Sequence, residues 1–113
     1  MSENKGIEAM DLIARIGEAA AAPVKSPAQL RLLISQDVDL GAHLPQALGI
    51  LCSNPLVEAE YYPGDLLKAV LSVDHTYWAR DPEGWERVHA ILGDLDHALG
   101  NIHEARARFV AMK

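Results

Sequence analysis

The fold is decided by a stretch near the C terminus, residues 82–102, which reads PEGWERVHAILGDLDHALGNI. Its large apolar residues recur at alternating intervals of three and four, as in a helix that packs along one side; they are Trp85, Val88, Leu92, Leu95, Leu99 and Ile102. Asp81 precedes Pro82, and this pair is typical of a helix start, because the carboxylate accepts a free backbone N–H and proline has none to satisfy. The pattern predicts a helix that begins at Pro82 and buries Trp85.

A glycine–asparagine pair governs how this segment ends. Gly100 and Asn101 both tolerate left-handed backbone, so they favour a turn over one helix that continues to the C terminus. We therefore predict two antiparallel helices, residues 82–99 and 102–112. This αα-hairpin resembles a single tetratricopeptide-type repeat at its packing positions, which are Leu92, Gly93, Gly100, Ala105 and Phe109. Repeat arrays need about three such units, so the resemblance implies a helical hairpin and not a peptide groove.

Helix signals also account for the rest of the chain. Ser26-Pro27 and Asn54-Pro55 place a capping residue directly before proline, and both predict helix starts. Apolar residues spaced by three and four predict further helices, which span residues 4–22, 27–36, 44–53 and 64–71. A short turn of helix is predicted at residues 75–80. The best strand candidate, residues 56–62, alternates poorly. The predicted fold class is all-α, a compact array of about six helices that ends in the αα-hairpin.

Length and composition favour one domain over residues 1–113. The 113 residues match a common domain size, and 50% of them are hydrophobic, which is enough for a core. The single cysteine, Cys52, stands in an apolar run and is expected to be a small buried residue. No apolar stretch approaches the roughly 20 residues that span a bilayer, and the polar start at residues 1–5 does not resemble a secretory signal. We expect a cytoplasmic protein.

The charge of the chain limits its partners. A net charge of −6 opposes binding to nucleic acid and to anionic membranes, and it favours basic partners. Residues 58–86 hold seven carboxylates and two basic residues, which leaves −5 of that net charge in one quarter of the chain. The same stretch contains every aromatic residue except Phe109. Negative charge and aromatic rings are therefore concentrated together.

Aromatic side chains within an acidic field are typical of a protein-binding surface, because rings provide contact area and carboxylates steer a basic partner. The alternative is that the rings fill the core while the acids face water. For Tyr61-Tyr62 and Tyr77-Trp78 both readings remain open, since adjacent residues cannot all point inward. The predicted contact residues are Glu58, Glu60, Tyr61, Tyr62, Asp65, Asp74, Tyr77, Trp78 and Asp81.

No pattern in the chain indicates catalysis, a cofactor or a metal. Nucleophile–base motifs, glycine-rich phosphate loops and metal-ligand signatures do not occur in the sequence. His89, Asp96 and His103 stand seven residues apart, which separates neighbours by about 10.5 Å along a helix, too far for one metal ion. We predict a protein that is not an enzyme and that has no cofactor and no metal site.

One segment resembles a known family. Residues 62–71 read YPGDLLKAVL, and they are followed by Tyr77-Trp78 and then by Pro82 and Trp85. This arrangement resembles small bacterial immunity proteins of contact-dependent growth-inhibition systems. The resemblance implies a protein that binds the toxic C-terminal domain of a cognate effector, often a nuclease, and blocks it. Nuclease toxins carry basic clefts, so the nine predicted contact residues would meet a basic toxin domain.

The main alternative is a helical adaptor or chaperone-like module that holds a peptide, with the C-terminal hairpin as the wall of its groove. Such a module predicts binding with weak salt dependence. An immunity protein predicts a folded basic partner and an association rate that falls steeply with salt. The oligomeric state remains open, because the apolar side of residues 85–102 can pack within one chain or between chains.

Overall fold

The computed structural model describes the backbone of residues 2–113 and the side chains of residues 9–113. Six α-helices and no strand form this part of the chain, so the all-α prediction is confirmed. The helices are α1 (Ser2–Ala21), α2 (Pro27–Ser35), α3 (Leu40–Ser53), α4 (Asp65–Leu71), α5 (His75–Arg80) and α6 (Pro82–Ala111). The polar start at residues 1–5, on which the expectation about a secretory signal rests, lies outside the described side chains.

Two predicted helix starts follow the expected capping chemistry, whereas the start predicted at Asn54-Pro55 is wrong, because Asn54 ends α3 and no helix begins at Pro55. The Ser26 hydroxyl accepts a hydrogen bond from the Gln29 N–H at 3.2 Å, and the Gln29 side chain accepts one from the Ser26 N–H at 2.9 Å. At α6 the Asp81 carboxylate accepts the Gly84 N–H at 3.0 Å. Each cap satisfies backbone donors that a first helical turn leaves free.

Helix α3 begins earlier than predicted, at Leu40, and it includes Pro45 in its second turn. Burial explains this extension. The His43 ring is only 5% exposed, and its Nδ1 lies 2.7 Å from the Val38 carbonyl oxygen. These contacts hold the first turn of α3, while the exposed Pro45 removes one backbone hydrogen bond.

The core lies between α2, α3, α4 and the first half of α6. Its buried side chains are Leu30, Ile34, Leu44, Ala47, Leu48, Leu51, Leu66, Leu67, Val70, Val73, Val88 and Ile91. Helix α1 packs on the other side of α2, where Leu12, Ile16 and Ala19 cover Leu32 and Leu33. Helix α2 is therefore buried on two sides and connects the N-terminal helix to the rest of the molecule.

The predicted C-terminal hairpin is wrong, because α6 is one continuous helix of 30 residues. A turn would break the backbone hydrogen bonds that span Gly100 and Asn101, whereas one glycine inside a helix costs only about 1 kcal/mol. The second half of α6 extends away from the core, and the molecule is not compact. Its radius of gyration is 17.4 Å, against about 13 Å for a compact chain of this length.

Two residues expected in the core lie at the surface. Trp85 is 50% exposed, and its ring stacks on His89 with centroids 5.0 Å apart. Cys52 is exposed, because it points about 100° away from the buried Leu51 on α3. None of the helices in the described residues is long and apolar enough to cross a membrane.

Candidate partner-binding site

The loop between α3 and α4, residues 54–64, is organised by the carboxylate of Asp65. This side chain is only 3% exposed. Its Oδ1 accepts the Ala59 N–H at 2.7 Å, and its Oδ2 accepts the N–H groups of Glu60 and Tyr61, both at 2.9 Å. Three consecutive amides therefore converge on one buried carboxylate, which fixes the path of the loop.

These hydrogen bonds also set the charge state of Asp65. Burial alone raises the pKa of a carboxyl group, but the N–H groups of Tyr61, Ala59 and Glu60 outweigh it and lower the pKa of Asp65 from its ordinary value of 3.8 to about 2. The group is ionised at neutral pH and accepts hydrogen bonds only. Its carboxylate is engaged within the loop, and contact between Asp65 and a partner remains a prediction.

The loop closes at Gly64, where the backbone is left-handed with φ of 88°. Glycine adopts this conformation without the steric cost that other residues meet. The Gly64 N–H points back to the Leu56 carbonyl at 3.1 Å and to the Val57 carbonyl at 3.2 Å. The Gly-Asp pair that begins α4 is therefore the structural element that shapes the loop.

The loop presents Tyr61 and Tyr62 at the surface, with 61% and 44% of each residue exposed. Each ring contacts a cation from a helix. The Arg31 guanidinium of α2 lies 4.8 Å from the centroid of Tyr61, and the Lys68 Nζ of α4 lies 5.9 Å from that of Tyr62. Such cation–π contacts restrain aromatic side chains at exposed sites. The rings are exposed to solvent and also held in place.

Glu60 links the loop to two helices. Its Oε1 accepts a hydrogen bond from Arg15 of α1 at 3.1 Å, and its Oε2 accepts one from Arg31 of α2 at 3.0 Å. The Glu60 side chain is 29% exposed and that of Arg31 is 16% exposed. The carboxylate is therefore neutralised within the molecule, and Glu60 supports the tyrosines more than it offers a free charge.

A groove of about 440 Å³ lies beside the tyrosines, between α2, α4 and the loop. We call it the tyrosine-rimmed groove. Four predicted contact residues line it, namely Tyr61, Tyr62, Asp65 and Asp74. Three further charged residues that the sequence did not single out line it too, namely Arg31, Asp37 and Lys68. The structure thus brings both tyrosines together with charges of both signs.

Three other predicted contact residues are used within the fold. Tyr77 and Trp78 are partly buried and pack edge to face against each other, with centroids 5.2 Å apart. The Tyr77 hydroxyl donates to Asp81 at 3.0 Å, and burial together with this carboxylate raises the pKa of Tyr77. Asp81 also caps α6, so Tyr77 and Asp81 hold α5 against the start of α6.

The nine predicted residues do not all line one groove. Trp78 lines a second groove of about 300 Å³ with Trp85, His89 and Leu92. Glu58 is exposed in the loop and lines neither groove. Within the part of the chain that the structure describes, no three His, Cys, Asp or Glu side chains are placed to hold a metal ion.

The part of the chain that the structure describes is a small helical fold that holds two tyrosines at its surface. The chain belongs to the family of CDI immunity proteins, which matches residues 26–88, or 63 of its 113 residues. No curated protein and no solved structure matches the chain. The family resemblance of residues 62–85 is confirmed, and the match extends upstream through α2 and α3, where the sequence offered no such signal.

Family membership implies an immunity role and a cognate toxin as partner. The matched residues include the whole tyrosine-rimmed groove, whereas α1 and the second half of α6 lie outside them. The adaptor alternative needs a C-terminal hairpin as the wall of its groove. Because α6 is one helix, that wall does not form.

Proposed function

We propose that this immunity protein neutralises a basic, nuclease-type toxin domain in the cytoplasm by docking it on the tyrosine-rimmed groove. The observation that carries the proposal is the pair Tyr61 and Tyr62, two adjacent rings that are exposed and yet held by cations. The other contacts come from acids near the groove, Glu58 and Asp74. Glu60 and Asp65 support the loop from within, and Tyr77, Trp78 and Asp81 flank this surface.

Rigid aromatic anchors favour tight binding. Binding normally costs free energy, because side chains and loops must be ordered at the interface. Here Asp65 already orders the loop through three hydrogen bonds, and Arg31 and Lys68 already restrain the rings. Two tyrosines fixed in this way resemble the anchors that carry most of the affinity in protein interfaces.

The free carboxylates favour a basic partner. Five of the seven acids in residues 58–86 are exposed, namely Glu58, Glu60, Asp74, Glu83 and Glu86. Among them, Glu60 is paired with Arg15 and Arg31. The side chain of Asp74 is 68% exposed at the edge of the groove. Such charges raise the rate of encounter with a basic domain more than they strengthen the final complex. They also compete with the phosphates that a nuclease cleft binds.

Removal of both rings tests the anchor. We expect the double variant Tyr61→Ala, Tyr62→Ala to bind the cognate toxin domain at least about 30-fold more weakly, as loss of a hot spot of 2 kcal/mol or more requires. Calorimetric titration measures the affinity. Ile13→Ala, a 69% exposed apolar residue on α1, is the matched control and should bind normally. Normal binding by a folded double variant would rule out the proposed anchor.

A salt series tests the electrostatic part. We expect Glu58→Lys combined with Asp74→Asn to slow toxin association about tenfold at low salt, and the difference should shrink as salt screens the charges. Asn at position 74 retains the cap that accepts the Thr76 N–H. Glu104→Lys, on the far half of α6, is the control. If the natural chain, the Glu58→Lys, Asp74→Asn variant and the Glu104→Lys control all associated at the same rate at low salt, a basic partner at this groove would be contradicted.

A further inference from the structure

The second half of α6, residues 96–113, is an exposed helical arm, which we call the α6 arm. Its apolar residues Leu99, Ile102, Phe109 and Val110 are 47%, 61%, 73% and 60% exposed. Their spacing places them on the same side of α6 as the buried Val88. Among the described residues, α6 packs only on α3 and α5, so nothing in the described chain covers this side of the arm.

A second apolar feature lies at the other end of α6. The groove of about 300 Å³ is lined by residues of α4, α5 and α6, which include Leu71, Trp78, Trp85, His89 and Leu92. Leu71 and Trp85 are 48% and 50% exposed. We call it the tryptophan groove. Exposed apolar areas of this kind mark surfaces that other proteins cover.

The charges of α6 indicate what covers both features. On or beside the apolar side of the arm, Asp96 precedes Leu99 and Arg106 follows Ile102, whereas the helical period places Asp94, Glu104 and Arg108 on the opposite side. A second copy that packs antiparallel would place Asp96 of each helix beside Arg106 of the other. Parallel packing would place like charges together, which is unfavourable. The pattern is self-complementary, and a two-fold interface requires such a surface.

We propose that two copies of the chain pair antiparallel through their α6 arms. A two-fold axis near Gly100 and Asn101 places Leu99 against Ile102 of the second copy. The same register brings Arg106 beside Asp96 of the second copy, and Phe109 beside Leu92 of the second copy. Phe109 and Leu92 are 17 residues apart, or about 25 Å along one helix, so the tip of each arm reaches the tryptophan groove of the other copy.

This arrangement covers the two apolar features with each other. Ala98 and Ala105 lie beside the contact line and are small enough for the helices to approach closely. The α6 arm lies outside the residues that match the immunity family. The tyrosine-rimmed groove takes no part in the pairing, so the dimer does not rest on the proposed function.

Sedimentation equilibrium tests the dimer. The full chain should sediment at twice its mass of 12.3 kDa, and the variant Ile102→Glu, Phe109→Glu should sediment as a monomer. His97→Glu with Asn101→Glu adds the same charge on the opposite side of α6 and should remain dimeric. Circular dichroism checks that both variants keep their helices. A monomeric full chain, or a dimer that survives Ile102→Glu, Phe109→Glu, would overturn the proposal.

A charge exchange tests the orientation. Asp96→Arg alone and Arg106→Asp alone should each weaken dimerisation at least tenfold, because each places like charges together. Both substitutions in one chain restore opposite charges only in the antiparallel register, so the double variant should regain most of the affinity. Additive weakening in the double variant would contradict this pairing. Leu71→Glu should also weaken the dimer, and an unchanged dimer would exclude the tryptophan groove.

Discussion

Asp65 is the residue on which the shape of the candidate site depends. Its carboxylate is buried under the loop and accepts three consecutive backbone N–H groups. The sequence presents it as one of many acids in a negative stretch. Its structural role depends on a loop that folds back so that the backbone of Ala59, six residues earlier, contacts Asp65. The number of charges in a sequence does not predict that geometry. One carboxylate thus fixes the position of both tyrosines.

Loss of this carboxylate should destabilise the protein in a pH-dependent way. We expect Asp65→Ala to lower the free energy of unfolding at pH 7 by about 3 kcal/mol, because buried N–H groups lose their charged acceptor. The pKa of Asp65 is about 2 in the folded chain and 3.8 ordinarily. Its stabilisation is therefore complete above about pH 4 and disappears as pH falls toward 2.

Urea unfolding from pH 7 to pH 2 measures both effects. The difference between the natural chain and Asp65→Ala should narrow as pH falls through that window. Asp94→Ala, which removes an exposed carboxylate on α6, is the control and should change little. A constant difference between the natural chain and Asp65→Ala at every pH would show that the carboxylate charge does not stabilise the loop.

Among the helices, α6 is the one in which a short sequence signal, the Gly100-Asn101 pair, predicts the wrong structure. Its apolar spacing correctly predicts a helix, and Asp81 correctly marks the start. Gly100 and Asn101 indicate a turn, because both are common where helices end. A turn needs a second helix that packs back on the first, and the spacing of the apolar residues continues unbroken past Asn101. The repeat of apolar residues over the whole segment therefore predicts the structure better than the Gly100-Asn101 pair does.

The substitution Gly100→Ala separates the two arrangements. An added Cβ at Gly100 meets no atom within 4 Å, so alanine should stabilise a continuous helix by about 0.5–1 kcal/mol. In a hairpin, a left-handed Gly100 would make the same substitution unfavourable. Amide hydrogen exchange of residues 98–106 reports on this directly. Slower exchange in Gly100→Ala supports one helix, and faster exchange would contradict it.

At the scale of the molecule, the all-α class and the immunity family could be predicted from the sequence. The helical period, the proline-marked starts and the segment around Gly64 carried that information. The extended shape could not be predicted, because it depends on the second half of α6 having no partner in the described chain. The contact between Tyr61 and the Arg31 cation could not be predicted from the sequence either, because Arg31 lies 30 residues away on another helix.

The charge distribution was only partly informative. The sequence concentrates acids and rings in one stretch, but the fold uses Glu60, Asp65 and Asp81 internally. The surface that we propose, Tyr61 and Tyr62 with Glu58 and Asp74, is smaller than the nine predicted residues. That surface lies within the residues shared with the immunity family. The proposed site therefore contains fewer residues than the acidic stretch, and the hydrogen bonds of Asp65 hold its loop in place.

Hydroxyl-radical footprinting of the complex tests this surface most directly. In this method, side chains that a partner covers are oxidised less than in the free protein. We expect oxidation of Tyr61 and Tyr62 to fall severalfold when the cognate toxin domain binds. Oxidation of Met10, which is 71% exposed on α1 and lies in neither groove, should not change. Full oxidation of both tyrosines in the toxin-bound protein would contradict the account.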